Sequence, residues 1–169
     1  MTDWPQLRKT VRSIFDHLED DEVSNLLRRH HTATVVACRD REIIGYYQFY
    51  AHAERGVAWL NHFGVLPPAR GHGEANVLLA FLLRHAKTCG FASIALDAFE
   101  NNVRAHRFYE RSGFTRQSKQ THEDGVKWRF RMRLDGVAAF EHAMPSPRAP
   151  GRMTRAWRKL AYHALTAVA

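Results

Sequence analysis

The residues best suited to chemistry lie in one stretch, Phe63-Gly64-Val65-Leu66-Pro67-Pro68-Ala69-Arg70-Gly71-His72-Gly73-Glu74-Ala75. It reads as a strand stopped by Pro-Pro, a short loop, and small residues opening a helix. The first turn of a helix has backbone N–H groups without an intrahelical acceptor, at the positive end of the helix dipole. Gly73 and Ala75 carry no bulky side chain, so a pyrophosphate can approach the backbone closely, and Arg70 adds a formal charge beside it. A simple Gly-containing turn would use the same residues. The Gly-Lys-Ser/Thr ending of a nucleotide P-loop is missing. Further along, Asp97 ends the run Ser93-Ile94-Ala95-Leu96. On strand alternation it shares a face with Ser93 and Ala95, opposite Ile94 and Leu96. A carboxylate there can accept a proton, cap the next helix or bind an arginine.

The elements that must position these residues follow from the hydrophobic spacing. Trp4-Pro5 starts a helix that carries Leu7, Val11, Ile14, Phe15 and Leu18. The acidic run Glu19-Asp20-Asp21-Glu22 leads into a second helix with Val23, Leu26 and Leu27 on one face, ending near His30-His31. The period then changes. Thr32–Cys38 and Ile43–Ala51 read as a β-hairpin, and Val57–Val65 as a third strand. Glu74–Thr88 is an apolar helix closed by Gly90, and Ala92–Ala98 is a short buried strand. A helix over Asn101–Arg111 and strands over Phe114–Lys119 and Val126–Leu134 complete a mixed α/β domain. Pro145, Pro147, Pro150 and Gly151 mark a linker.

Composition narrows the function. With 169 residues, 45% hydrophobic and 25% charged, the chain is one ordinary globular domain with a short appendage. The formal net charge of +8 points to an anionic partner. However, Arg148, Arg152, Arg155, Arg158 and Lys159 carry five of those charges in a tail without acids. That leaves 20 basic against 17 acidic residues, +3, over residues 1–142. Cys38 and Cys89 suit a reducing, cytoplasmic setting rather than a disulfide framework. No signal peptide or membrane-spanning run is expected, and the eleven histidines show no metal-ligand spacing, so no metal is expected.

Two spacings carry a resemblance. Arg70-x-x-Gly73-x-Ala75 is similar to the Gln/Arg-x-x-Gly-x-Gly/Ala signature of the GNAT superfamily of acetyl-CoA-dependent N-acetyltransferases. Asn102-x-x-Ala105-x-x-x-Tyr109-x-x-x-Gly113-Phe114 resembles that superfamily's later block, one helix and one strand away. The resemblance covers roughly Thr32 to Leu134. It implies a mostly antiparallel twisted sheet with flanking helices and splayed central strands, followed here by a C-terminal helix. It also implies acetyl-CoA as co-substrate. Phe63, Gly64 and Val65 would hydrogen-bond the pantetheine arm, and the amides of Arg70, Gly71, His72, Gly73, Glu74 and Ala75 would hold the pyrophosphate. Asn102 would bind the pantetheine side, with Ala105 leaving room. Tyr109 would be the general acid. Asp97 stands where the ribosomal-protein N-terminal acetyltransferases of the superfamily carry their base, usually Glu. Glu100, His62 and Asn61 (through a water) are the reserves.

The acceptor expected on this basis is an amine, a small molecule ahead of a peptide N-terminus or lysine. Asp16 and Glu19–Glu22 could attract its cation, or form a solvated turn; Tyr46, Tyr47, Phe49 and Tyr50 could wall it, or build core. Members of the superfamily usually begin with a strand, so the first edge strand is expected to be absent or replaced. The domain boundaries read 1–142, a linker 143–151, and a basic amphipathic helix 152–169. That helix would pack on the domain or a dimer mate, or meet an anionic partner. A CoA-binding module without turnover is the competing class.

Overall fold

The computed structural model describes residues 4–15, 33–39, 42–135 and 161–165. The expected second helix, the acidic cluster of Asp16 and Glu19–Glu22, the linker 143–151 and the tail segment 152–160 lie outside them. The chain divides into two compact units: Met1–Tyr50, Asn61–Leu79 and Pro145–Ala169 form one, Ala51–Leu60 and Ala80–Met144 the other.

In the first unit, α1 (Trp4–Ile14) forms from the expected spacing. Leu7 and Val11 are fully buried against Val36, Ile43 and Tyr46, with Ile14 and Phe15 packed alongside. Strands β1 (Ala33–Arg39) and β2 (Glu42–Ala51) make the antiparallel hairpin, with a register shift between Ala37 and Cys38. β2 is buried without alternation from Ile43 to Phe49, so it has no solvent face. Tyr46, Tyr47 and Phe49 are therefore core, not the walls of an acceptor groove.

The second unit holds the polar candidates. β3 (Val57–Val65) starts here and runs into the first unit, as α2 (Glu74–Thr88) does in the opposite sense. β3 pairs parallel to β4 (Ser93–Phe99) over Val57–Trp59 against Ser93–Ala95, the first three residues of each strand. β6 (Gly125–Arg133) is antiparallel to β4 along its whole length, and β5 (Thr115–His122) is antiparallel to β6. Ile94 and Leu96 bury one face of β4, and Phe130, Phe114 and Tyr109 of α3 (Val103–Arg111) are buried with them. The mixed α/β class, mostly antiparallel and with flanking helices, is as expected.

The tail departs from expectation. Residues 161–165 are not helix but strand β7 (Ala161–Leu165), antiparallel to β1 from Thr34↔Leu165 to Cys38↔Ala161. The physical reason is the edge. An uncovered edge of β1 would leave a row of N–H and C=O groups unpaired, and β7 supplies their partners along that edge.

Candidate active site

The cradle lies in the first unit. After Val65 the chain makes a single 3-10 turn, Pro67–Ala69, with proline at its start. Leu66 N–H donates to the Ile44 carbonyl at 2.8 Å, which ties the loop to β2. Arg70 donates its Nε to the Val65 carbonyl at 2.9 Å, so this side chain closes the loop onto the strand end as well as placing its charge there. Gly73 has φ +93°, a left-handed conformation that L side chains avoid. Its carbonyl accepts from Asn76 at 3.0 Å and Val77 at 3.2 Å, which opens α2. The amides of Gly71, His72, Gly73, Glu74 and Ala75 have no backbone acceptor among the described residues. Five successive N–H donors at a helix start are the donor set a pyrophosphate needs, so these residues fit the phosphates of CoA.

Glu74 would oppose an anion there if its carboxylate faced one. Instead it is 4% exposed and ion-paired with Arg39 of β1, which turns its charge away and leaves the backbone amide as its contribution. Gly64 is required for a different reason. A Cβ there would lie 2.3 Å from Ile14 Cγ2, so α1 can pack on this strand only over a glycine. Phe63 and Asn61 are half-buried. His62 stacks on Tyr46 at 6.4 Å and meets the Phe15 ring edge-on at 5.6 Å.

In the second unit, β4 leads through Phe99–Asn101 into α3. Asn102 caps that helix, its Oδ1 accepting from Ala105 N–H at 3.0 Å, so the side-chain carbonyl is committed and the amide NH2 is the group it can offer a ligand. Tyr109 packs its ring against Phe108, Phe114 and Phe130, with centroids 5.3, 5.4 and 6.0 Å away. Burial pushes its phenol well above the ordinary tyrosine value. Asp97 is directly opposite Arg129 on β6 and accepts two hydrogen bonds from it, both 3.0 Å. That pairing raises Arg129 above its ordinary value, and the guanidinium also lies 4.8 Å over the Trp59 ring. Of the three readings open to Asp97, the structure shows the one in which it binds an arginine. Glu100 pairs with Lys119 at 2.5 Å, whose hydrogen bond holds the Glu100 carboxyl below the usual carboxylate range.

Asp97 and Tyr109 flank β4 from opposite faces. Leu96 is opposite Phe130, which packs on Tyr109, while the next rung pairs Asp97 with Arg129. One neighbour of Asp97 lies outside both motif blocks. His122, at the end of β5, brings its Nε2 to 3.4 Å from Asp97 Oδ2. It reads as a turn residue, and only the hairpin register reveals it. Among the described residues, no group of three or more His, Cys, Asp or Glu is placed to hold a metal ion, and no helix is long and apolar enough to cross a membrane.

A mixed sheet with one short parallel pair, a Gly-bearing turn into a helix at the end of its first parallel strand, and a capped helix after the second define an acyl-CoA-binding transferase fold. The profile of the acetyltransferase (GNAT) family matches residues 2–114, and the chain belongs to that family. Among curated relatives, it is 31% identical over 87 residues to the uncharacterized N-acetyltransferase YycN of Bacillus subtilis, covering 50% of this chain and 56% of that one. It is 34% identical over 94 residues to a mycothiol acetyltransferase of Streptomyces avermitilis, covering 56% and 29%. The chain thus spans about half or less of the length of these relatives. Among solved structures, the ribosomal-protein-S18-alanine N-acetyltransferase of Escherichia coli superposes with a TM-score of 0.65 at 14% identity, over 89% of this chain and 94% of that one. At that identity the likeness is one of fold.

Proposed function

We propose that this protein transfers an acetyl group from acetyl-CoA to the amine of a small molecule, by direct attack with both substrates bound. The observation that carries the reading is the row of five backbone amides, Gly71 to Ala75, leading into α2, each without a backbone acceptor among the described residues. Acetyl-CoA supplies an acyl group already activated as a thioester. The amides from Gly71 to Ala75, with the Arg70 guanidinium beside them, hold its pyrophosphate, and the backbone of Phe63, Gly64 and Val65 takes the pantetheine arm in the manner of an added strand. Asn102, with its NH2 group not used in capping α3, would bind the pantetheine side, and Ala105 would leave room for the cofactor.

Tyr109 is the proton donor to the departing sulfur. Its raised pKa keeps the phenol protonated at neutral pH, and a phenol near 10 or above exceeds a thiol at about 8.5, so the proton moves downhill to a thiolate only when the thiolate is freshly formed and poorly solvated. A small acceptor is favoured over a peptide by the mycothiol acetyltransferase relative, whose name gives a small-molecule acceptor. A CoA donor and the two free thiols, Cys38 and Cys89, support a reducing, cytoplasmic setting.

Calorimetric titration with acetyl-CoA, followed by an amine panel read through free-thiol release, tests this. Saturable binding and turnover on at least one small amine are expected. Binding without turnover on small amines, peptide N-termini or lysine peptides would leave a CoA-binding module instead. An absence of binding would remove the reading altogether.

A further inference from the structure

The structure assigns His122 as the proton acceptor for the incoming amine, oriented by Asp97; this rests on the acetyl-transfer reading above. The expected base, Asp97, has both oxygens engaged by Arg129, at 3.0 Å each, and its side chain is 9% exposed. A carboxylate so held is poorly placed to take a proton from a bulky substrate. It is well placed to orient a neighbour. His122 is that neighbour, with Nε2 at 3.4 Å from Asp97 Oδ2 and a side chain 39% exposed. A carboxylate on the Nε2 side favours the tautomer with the proton on Nε2, which leaves the Nδ1 lone pair free to act as a base.

The place in the fold agrees. The parallel ladder of β3 and β4 ends at Trp59 and Ala95, and Asp97 lies two residues beyond, toward the carboxyl end of β4. In sheets with parallel strands, ligands bind in the crevice at those ends. Tyr109, the proton donor, sits on the other face of the same strand. Base and acid therefore lie on opposite faces of β4.

Charged groups beside His122 are Asp97 on β4, which is held by Arg129 of β6, and, in its own hairpin, Asp124, which pairs with Lys127 of β6 at 2.6 Å. Each of these carboxylates carries its own cation, and the imidazolium formed by proton uptake is offset by Asp97. The proton balance closes. The acceptor ammonium gives one proton to His122, which releases it to solvent. The neutral nitrogen then forms the new C–N bond as the C–S bond breaks. The nitrogen sheds its second proton to restore the Tyr109 phenol, which has protonated the sulfur.

The test uses the full chain with an acceptor amine that the wild type turns over. His122→Gln should lower kcat at least about a hundredfold, remove the acidic limb of the kcat–pH profile, and leave KM for acetyl-CoA within about twofold. Imidazole 15N spectra give a readout independent of turnover. They should show His122 protonated on Nε2 in the wild type, and that preference lost in Asp97→Asn. Retention of both rate and acidic limb in His122→Gln would overturn the assignment, as would a tautomer indifferent to Asp97→Asn. If the wild type binds acetyl-CoA but acetylates no amine, the transfer reading fails, and the base assignment falls with it; if the wild type is active and His122→Gln is unchanged, only the assignment fails.

Discussion

At the scale of single residues, the chemistry divides between groups used for their backbone and groups used for their side chains. Glu74 belongs to the first kind: its carboxylate is spent on Arg39, and its value to a phosphate is one N–H. Tyr109 belongs to the second. Its ring is fixed by three aromatic neighbours, so removing the hydroxyl removes little packing. Tyr109→Phe should keep the melting temperature within a few degrees while kcat falls about a hundredfold. Burial raises this phenol, so the protonated form persists past its ordinary value near 10, and the donor is fully available at neutral and mildly alkaline pH. The wild-type kcat profile should accordingly show no loss on the basic side up to about pH 10, while activity that depends on the phenol declines only beyond it. A Tyr109→Phe variant with wild-type kcat would reduce this residue to packing. The spacing to Gly113-Phe114 singled out Tyr109 in the sequence. Its aromatic socket was not legible there, because Phe130 comes from a strand 21 positions later in the chain.

Elements were legible where the sequence punctuates them. Pro67-Pro68, Gly71 and Gly73 mark a strand stop and a helix start, and the turn, the loop and α2 follow where they must. The β-branched run in β1 and the apolar spacing of α1 behave likewise. What the sequence could not show is why Gly64 is a glycine. That depends on two elements meeting: α1 lays Ile14 directly on the Gly64 backbone, and a Cβ would intrude to 2.3 Å. Gly64→Ala should therefore destabilise the fold by about 1–3 kcal/mol, the usual scale for overpacking. Ile14→Ala in the same chain should recover part of that loss, because the two substitutions compete for one space. Thermal or urea unfolding of the two single variants and the double variant measures the coupling. Strictly additive losses would mean that α1 does not sit on this glycine.

At the scale of the whole molecule, the two motif blocks point to the family that matches residues 2–114, whereas the helical spacing of the tail points to the wrong element for residues 161–165. Met153, Trp157, Leu160, Ala161, Ala164 and Val168 have helical spacing, yet residues 161–165 are strand. Local periodicity is decided by what the segment can pair with, and a five-rung ladder on β1 outweighs a weak helical pattern in Ala-Tyr-His-Ala-Leu. The net charge of +8 changes meaning with this. Five of its charges, at Arg148, Arg152, Arg155, Arg158 and Lys159, precede β7 in a chain whose other 142 residues carry only +3. The tail thus has a structural task that does not depend on an anionic partner. Deleting residues 161–169 would expose the outer edge of β1, whose run Ala33-Thr34-Val35-Val36-Ala37 is apolar and β-branched, with unpaired N–H and C=O groups along it. Such an edge pairs with whatever strand it meets. The deleted chain should melt lower and self-associate with increasing concentration, read by sedimentation velocity. A deletion that stays monomeric and melts with the full chain would show that β1 needs no cover, and that the tail must owe its place to something other than the sheet edge.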